Sequence, residues 1–135
     1  MKSVGYLIFC LLIATAVSLQ AQEPVVISAE TPLYPSLVAH IRVLGTVRLA
    51  VTTDGNSVVA VKVSGGHKLL QEAAERNVRT WKFAPHQPTS FEVEFVYRLV
   101  KPEIDGNANS SVMLNFPRRV EITTREPKVE MEVSR

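Results

Sequence analysis

Two alternating runs that face each other across an Asp-Gly pair constrain this chain more than any other feature. In Thr46 to Thr52, Val47, Leu49 and Val51 alternate with Arg48, Ala50 and Thr52. In Val58 to Ser64, Val59, Val61 and Val63 alternate with Ala60 and Lys62. A period of two is what a strand with one buried face requires. Thr53-Asp54-Gly55-Asn56 lies between the runs, and Asp-Gly suits a tight hairpin because the turn needs positive φ. The pair therefore predicts two antiparallel strands whose apolar face must be covered.

Two helical patterns supply the cover. Tyr34-Pro35 opens the first, since proline's missing N–H costs nothing at the first helical position. Leu37, Ile41 and Leu44 follow at spacings of four and three, one inward face of a short helix that Gly45 stops. After Ser64-Gly65-Gly66-His67 a second helix is expected from Lys68 to Trp81. Its inward stripe is Leu70, Ala73, Ala74, Asn77, Val78 and Trp81, and its wet side carries Glu72–Arg76 and Glu75–Arg79 pairs. Pro85 and Pro88 prevent it from resuming.

A third strand follows from Phe91 to Leu99. Phe91, Val93, Phe95, Tyr97 and Leu99 share one face, while Glu92, Glu94 and Arg98 lie on the other with Val96 among them. A crossover containing a helix joins parallel strands, so strand three belongs on the far side of strand one. The expected fold is α+β: a three-stranded antiparallel sheet of order 2-1-3, with two helices packed on one face. Strand three is then an edge with one row of unpaired backbone groups.

The ends of the chain read differently. Residues 1–21 have the form of an export signal: Lys2, an apolar core from Val4 to Val17, and the small Ala21 before the cut. Cleavage there places the protein in the periplasm. Retention of Met1–Ala21 would anchor it to the inner membrane, although an apolar run of about 16 residues is short of the roughly 20 that span a bilayer. Cys10 is the only cysteine and lies within this segment, so the remaining 114 residues contain no thiol and no disulfide. Residues 22–33 form a leading segment, 34–100 the domain and 101–135 a tail. The tail holds three short alternating stretches, Val112-Leu114-Phe116, Val120-Ile122 and Val129-Met131-Val133, separated by Pro117 and Pro127. Two readings stay open for it: extra strands of the sheet, or a segment ordered by a partner.

Composition narrows the function. Without residues 1–21 the chain carries 14 Lys and Arg against 13 Asp and Glu, which argues against nucleic acid as a partner. His40, His67 and His86 are never three to five residues apart and lack a supporting carboxylate set, so neither a metal nor any other cofactor is expected. Ser64-Gly65-Gly66-His67 has neither nucleophile–base nor phosphate-loop spacing, and no catalytic constellation appears elsewhere. The chain does not read as an enzyme.

An ordered set of short pieces carries a family resemblance. These are Tyr34-Pro35, Gly45-Thr46-Val47, Asp54-Gly55, Ser64-Gly65-Gly66-His67, Leu70 leading into Ala73-Ala74, and Val78 through Trp81, Phe83 and Pro85. In order and spacing they resemble the C-terminal domain of TonB, the energy transducer of Gram-negative envelopes. Gln71 stands where that family often has Asp, Lys68 where it often has Pro, and Val38 where it often has Ala.

The resemblance implies a domain that captures an outer-membrane transporter segment, or another envelope protein, by strand addition in energy-coupled transmembrane transport. Phe91, Glu92, Val93, Glu94, Phe95, Val96, Tyr97, Arg98 and Leu99 would be the receiving strand. The backbone would bind, and the three charged side chains would tune selectivity. The pieces listing Tyr34 to Pro85 would be structural. A full TonB has an anchor and a long proline-rich spacer. Here about 12 residues precede Tyr34 after the apolar segment, a reach of roughly 40 Å, so binding without force transmission is expected. A structural module that binds peptidoglycan or forms a homodimer through the sheet edge is the alternative.

Overall fold

The computed structural model describes residues 23–101 and 110–127. Residues 1–21, read above as an export signal, and the last alternating run, Val129-Met131-Val133, lie outside the described residues. The element order is β1 (Val26–Ser28), α1 (Ser36–His40), β2 (Gly45–Thr53), β3 (Val58–Ser64), α2 (Lys68–Val78), β4 (Lys82–Phe83), β5 (Thr89–Val100), β6 (Ser111–Asn115) and β7 (Arg119–Arg125). They form a five-stranded sheet of order β3-β2-β5-β7-β6 and a two-stranded sheet, β1-β4.

The hairpin forms where the alternation places it. β2 and β3 are antiparallel, with Leu49 opposite Val63 and Val51 opposite Val61. The connection is a four-residue loop closed by Asp54, whose Oδ1 accepts from the N–H groups of Asn56 and Ser57 at 3.0 and 2.9 Å. Those bonds hold the Asp54 carboxyl below its usual pKa. Gly55 is required: its φ is +114°, and a Cβ would sit 2.7 Å from the His86 carbonyl oxygen. A bulge between Thr52 and Thr53 then shifts the register, so Val58 packs toward the core while Val59 faces solvent.

The helices are shorter than their patterns. α1 is a single turn that ends as Arg42 takes φ 56°. Pro35 is its N-cap, and Val38 and Ala39 are its buried residues. The expected inward stripe is thus corrected: Leu37, Ile41 and Leu44 are all more than half exposed. One turn is too short for a spacing of four and three to define a face. α2 ends at Val78 and buries Leu70, Ala74 and Val78, with Ala73 and Asn77 half-buried. His67 caps its start, its Nδ1 accepting from Leu69 N–H at 3.1 Å. Glu75 and Arg79 pair at 3.0 Å.

Trp81 lies just beyond α2, and it is fully buried. Its ring meets Phe83, Phe95 and Phe116 with centroid separations of 6.4, 6.1 and 4.8 Å. Its Nε1–H donates to Asn77 Oδ1 at 3.0 Å, so the indole is buried with its polar atom satisfied.

The sheet is the main correction to the sequence reading. The order 2-1-3 survives as β3-β2-β5, all antiparallel, but the tail adds two further strands. β7 lies parallel to β5, and β6 then pairs antiparallel with β7. The cause is burial: Val120 and Ile122 sit opposite Phe95 and Tyr97 and are almost wholly removed from solvent. Burying such side chains contributes roughly 1.5–3 kcal/mol each. The described part of the tail therefore belongs to the fold. Ile122→Ala is expected to lower unfolding free energy by about 2–5 kcal/mol in urea titration; a change near zero would mean that the hairpin β6–β7 is not part of the cooperative unit.

Candidate partner-binding edge

The alternating faces of β5 fix what each residue of the expected receiving strand can do. Val93, Phe95 and Tyr97 are buried in the core, Phe91 packs against it, and Leu99 is half-buried. On the opposite face Glu94 lies between Arg48 at 3.5 Å and Arg119 at 3.8 Å. Arg98 and Arg119 both reach Glu121, at 3.5 and 2.7 Å. Arg48, Glu94, Arg119, Glu121 and Arg98 thus form one chain of ion pairs across three strands, β2, β5 and β7. The pairs are solvent-accessible, so each contributes at most about 1 kcal/mol. Val96 lies among these charges and is itself buried.

The backbone of β5 departs from the expectation of an edge. Glu94 N–H donates to Arg118 O at 2.9 Å and Glu126 N–H to Val100 O at 2.9 Å, so the even-numbered residues point toward β7. Over Glu94–Val100 this row is paired with β7, because Val120 and Ile122 draw that strand into the core. Pairing starts only at Glu94. Among the described residues, the outward backbone groups of Ser90 and Glu92 have no strand beside them. An open cleft of about 430 Å³ occupies this place, lined by Glu23, Phe91, Glu92, Glu94, Pro117, Arg118 and Arg119. Arg118 and Glu23 form an ion pair at its rim.

Among the described residues, the five-stranded sheet has two full edges. β3 is one and β6 is the other. The role of β6 was not legible: its alternation was visible, but nothing in the sequence says that β7 inserts between it and β5.

The signature pieces hold the frame. Leu70, Ala74, Trp81 and Phe83 are core residues, while Asp54 and Gly55 shape the hairpin loop. Gly65 and Gly66 both have positive φ, and a Cβ on Gly66 would come 2.8 Å from Val47 Cγ2. Gly45 opens β2 at φ 146°, and Pro85 sits exposed after β4. Tyr34 packs edge-on against Tyr97 at 5.3 Å and donates its hydroxyl to Val43 O. The family model for the Gram-negative bacterial TonB protein C-terminal matches residues 30–99, more than half of the chain. The chain belongs to the TonB C-terminal family. No curated protein matches it.

Domains of the TonB C-terminal family are non-enzymatic protein-interaction modules of the cell envelope. Two of the departures from the family pattern have local explanations. Gln71 Nε2–H donates to Gly65 O at 2.7 Å, tying α2 to the glycine turn, and Val38 is a buried core residue. The histidines are engaged locally. His40 Nδ1 lies 2.7 Å from Ser36 O, and His86 Nδ1–H donates to Ala84 O at 2.9 Å while its Nε2 accepts from Thr53 at 2.6 Å. No helix among the described residues is long and apolar enough to cross a membrane.

Burial pushes the Tyr34 phenol up to about 12, and burial together with the charge of Tyr34 raises Tyr97 as well. A raised folded pKa contributes stability that is complete below the ordinary value near 10 and is lost as pH rises toward about 12. Urea midpoints from neutral to about pH 12 should therefore fall less steeply in Tyr34→Phe than in the parent. At neutral pH the same variant should be about 1 kcal/mol less stable, having lost the bond to Val43 O. Equal slopes would remove Tyr34 as a source of alkaline sensitivity.

Proposed function

We propose that this protein is a noncatalytic periplasmic binding module that takes an extended segment of an outer-membrane transporter, or of another envelope protein, by strand addition. The reading rests on family membership and on one observation, the unpaired row at the start of β5. Ser90 and Glu92 offer backbone donors and acceptors there, beside an open cleft of about 430 Å³. Val93 belongs to the core and anchors the receiving strand, while the partly buried Phe91 also lines the cleft. Glu92, Glu94, Arg118 and Arg119 line the opening and supply the charges that would select a sequence.

A segment extending past Glu94 would have to displace β7 and expose Val120 and Ile122. That loss, several kcal/mol by area, favours short occupants confined to Thr89–Val93. Titration of the exported chain with transporter N-terminal peptides should shift the amide signals of Thr89–Val93 before those of Val58–Ser64. Glu92→Pro removes only an outward N–H and leaves the β2 ladder intact, so it should weaken binding at least tenfold while the fold persists. Unmoved signals at Thr89–Val93 at saturating peptide would refute the reading.

A further inference from the structure

The charged face of β5 is built in rungs, and one rung is incomplete. Residues directly opposite each other in neighbouring strands place their side chains on the same face. Glu94 has a cation opposite it on both sides: Arg48 of β2 at 3.5 Å, and Arg119 of β7 at 3.8 Å. Ser90 lies opposite Thr52, and their hydroxyls are 3.0 Å apart. Between these two rungs Glu92 faces only Ala50 on β2, and β7 does not extend alongside it. Among the described residues no cation pairs with the exposed Glu92 carboxylate.

The other charges of the cleft are already matched. Of the five charged side chains that line it, Glu94 and Arg119 pair with each other, and Arg118 is held by Glu23 of the leading segment. The leading segment is fixed where this pair forms: Pro24 is buried, and Val25 C=O accepts from Ala84 N–H at 2.9 Å. Glu23 therefore offsets the charge of Arg118, and Glu92 is the one carboxylate in the cleft without a counter-ion among the described residues. Glu23 and Pro117–Arg119 lie outside residues 30–99, so this charge pattern is set in part by segments beyond the family match.

A strand entering the gap occupies the position that β7 leaves empty beside Glu92. The residue it places opposite Glu92 shares the ion-paired face, just as Arg119 does opposite Glu94 one rung along. The residue next to it turns to the other face, where the partly buried Phe91 lines the cleft. We propose that Glu92 selects the occupant of the cleft: the segment taken there carries Lys or Arg opposite Glu92 and an apolar residue beside it, over Phe91. This rests on strand addition at Thr89–Val93 and names the class of segment added. A segment with Asp or Glu in the same place opposes like charges and is rejected.

Three blocked pentapeptides, Thr-Val-Xaa-Val-Thr with Lys, Gln or Glu at the centre, provide the test. Each is titrated at low salt into the exported chain while the amide signals of Thr89–Val93 are followed. The Lys peptide should bind about threefold more tightly than the Gln peptide and about tenfold more tightly than the Glu peptide. Salt at about 1 M, where the Debye length is about 3 Å, should bring the three together. Glu92→Gln should erase the preference and Glu92→Lys should reverse it, with unchanged circular dichroism spectra, since the carboxylate holds no ion pair in the fold. Equal affinities for the three peptides, or a preference for Lys that survives Glu92→Gln, would overturn the proposal and leave strand addition standing. No shift at Thr89–Val93 with any of the peptides would overturn strand addition and this proposal together.

Discussion

The burial of one indole joins the parts of this protein that the sequence keeps apart. Trp81 leaves α2 through its bond to Asn77, stacks on Phe95 of the central strand, and touches Phe83 of the small sheet. Its shortest ring contact is with Phe116, in the turn between the two added strands. Family core and tail therefore share a single aromatic cluster. The parallel pairing of β7 along β5 follows from it, because a turn pinned at Phe116 delivers Val120 and Ile122 directly beside Phe95 and Tyr97.

That arrangement changes what a binding edge means here. In a three-stranded sheet the whole of β5 would be open. In this chain most of it is interior, and what remains is a short gap at one end and a new boundary one strand further out, beyond β7. The gap is charged and partly enclosed by Glu23 and Arg118. The new boundary, β6, is uncharged. The two offer different chemistry, the gap presenting charges and the outer strand none.

How much of this could be read beforehand follows from the range of each interaction. The β2–β3 hairpin and the order β3-β2-β5 were legible, since alternation, Asp54-Gly55 and a helical crossover are local signals. The outward turn of Leu37 and Ile41 was not, because α1 stops after five residues and periodicity has no meaning over one turn. The alternation of Val120 and Ile122 showed that they form a strand. It carried no information about which neighbour they meet, since that choice depends on Phe116 finding Trp81 at 35 residues' separation. The candidate strand Phe91–Leu99 was located correctly as a strand of the sheet, while its exposure depended on that distant contact.

The chain of ion pairs from Arg48 through Glu94, Arg119 and Glu121 to Arg98 has a consequence for the shape of any assembly. Removing water from that surface would strand several charges at once, so stacking a second sheet onto it is strongly opposed. The opposite surface is already occupied by helix and aromatic cluster over most of its width. The ion-paired face is thereby committed to water, and contact with another sheet is steered away from it.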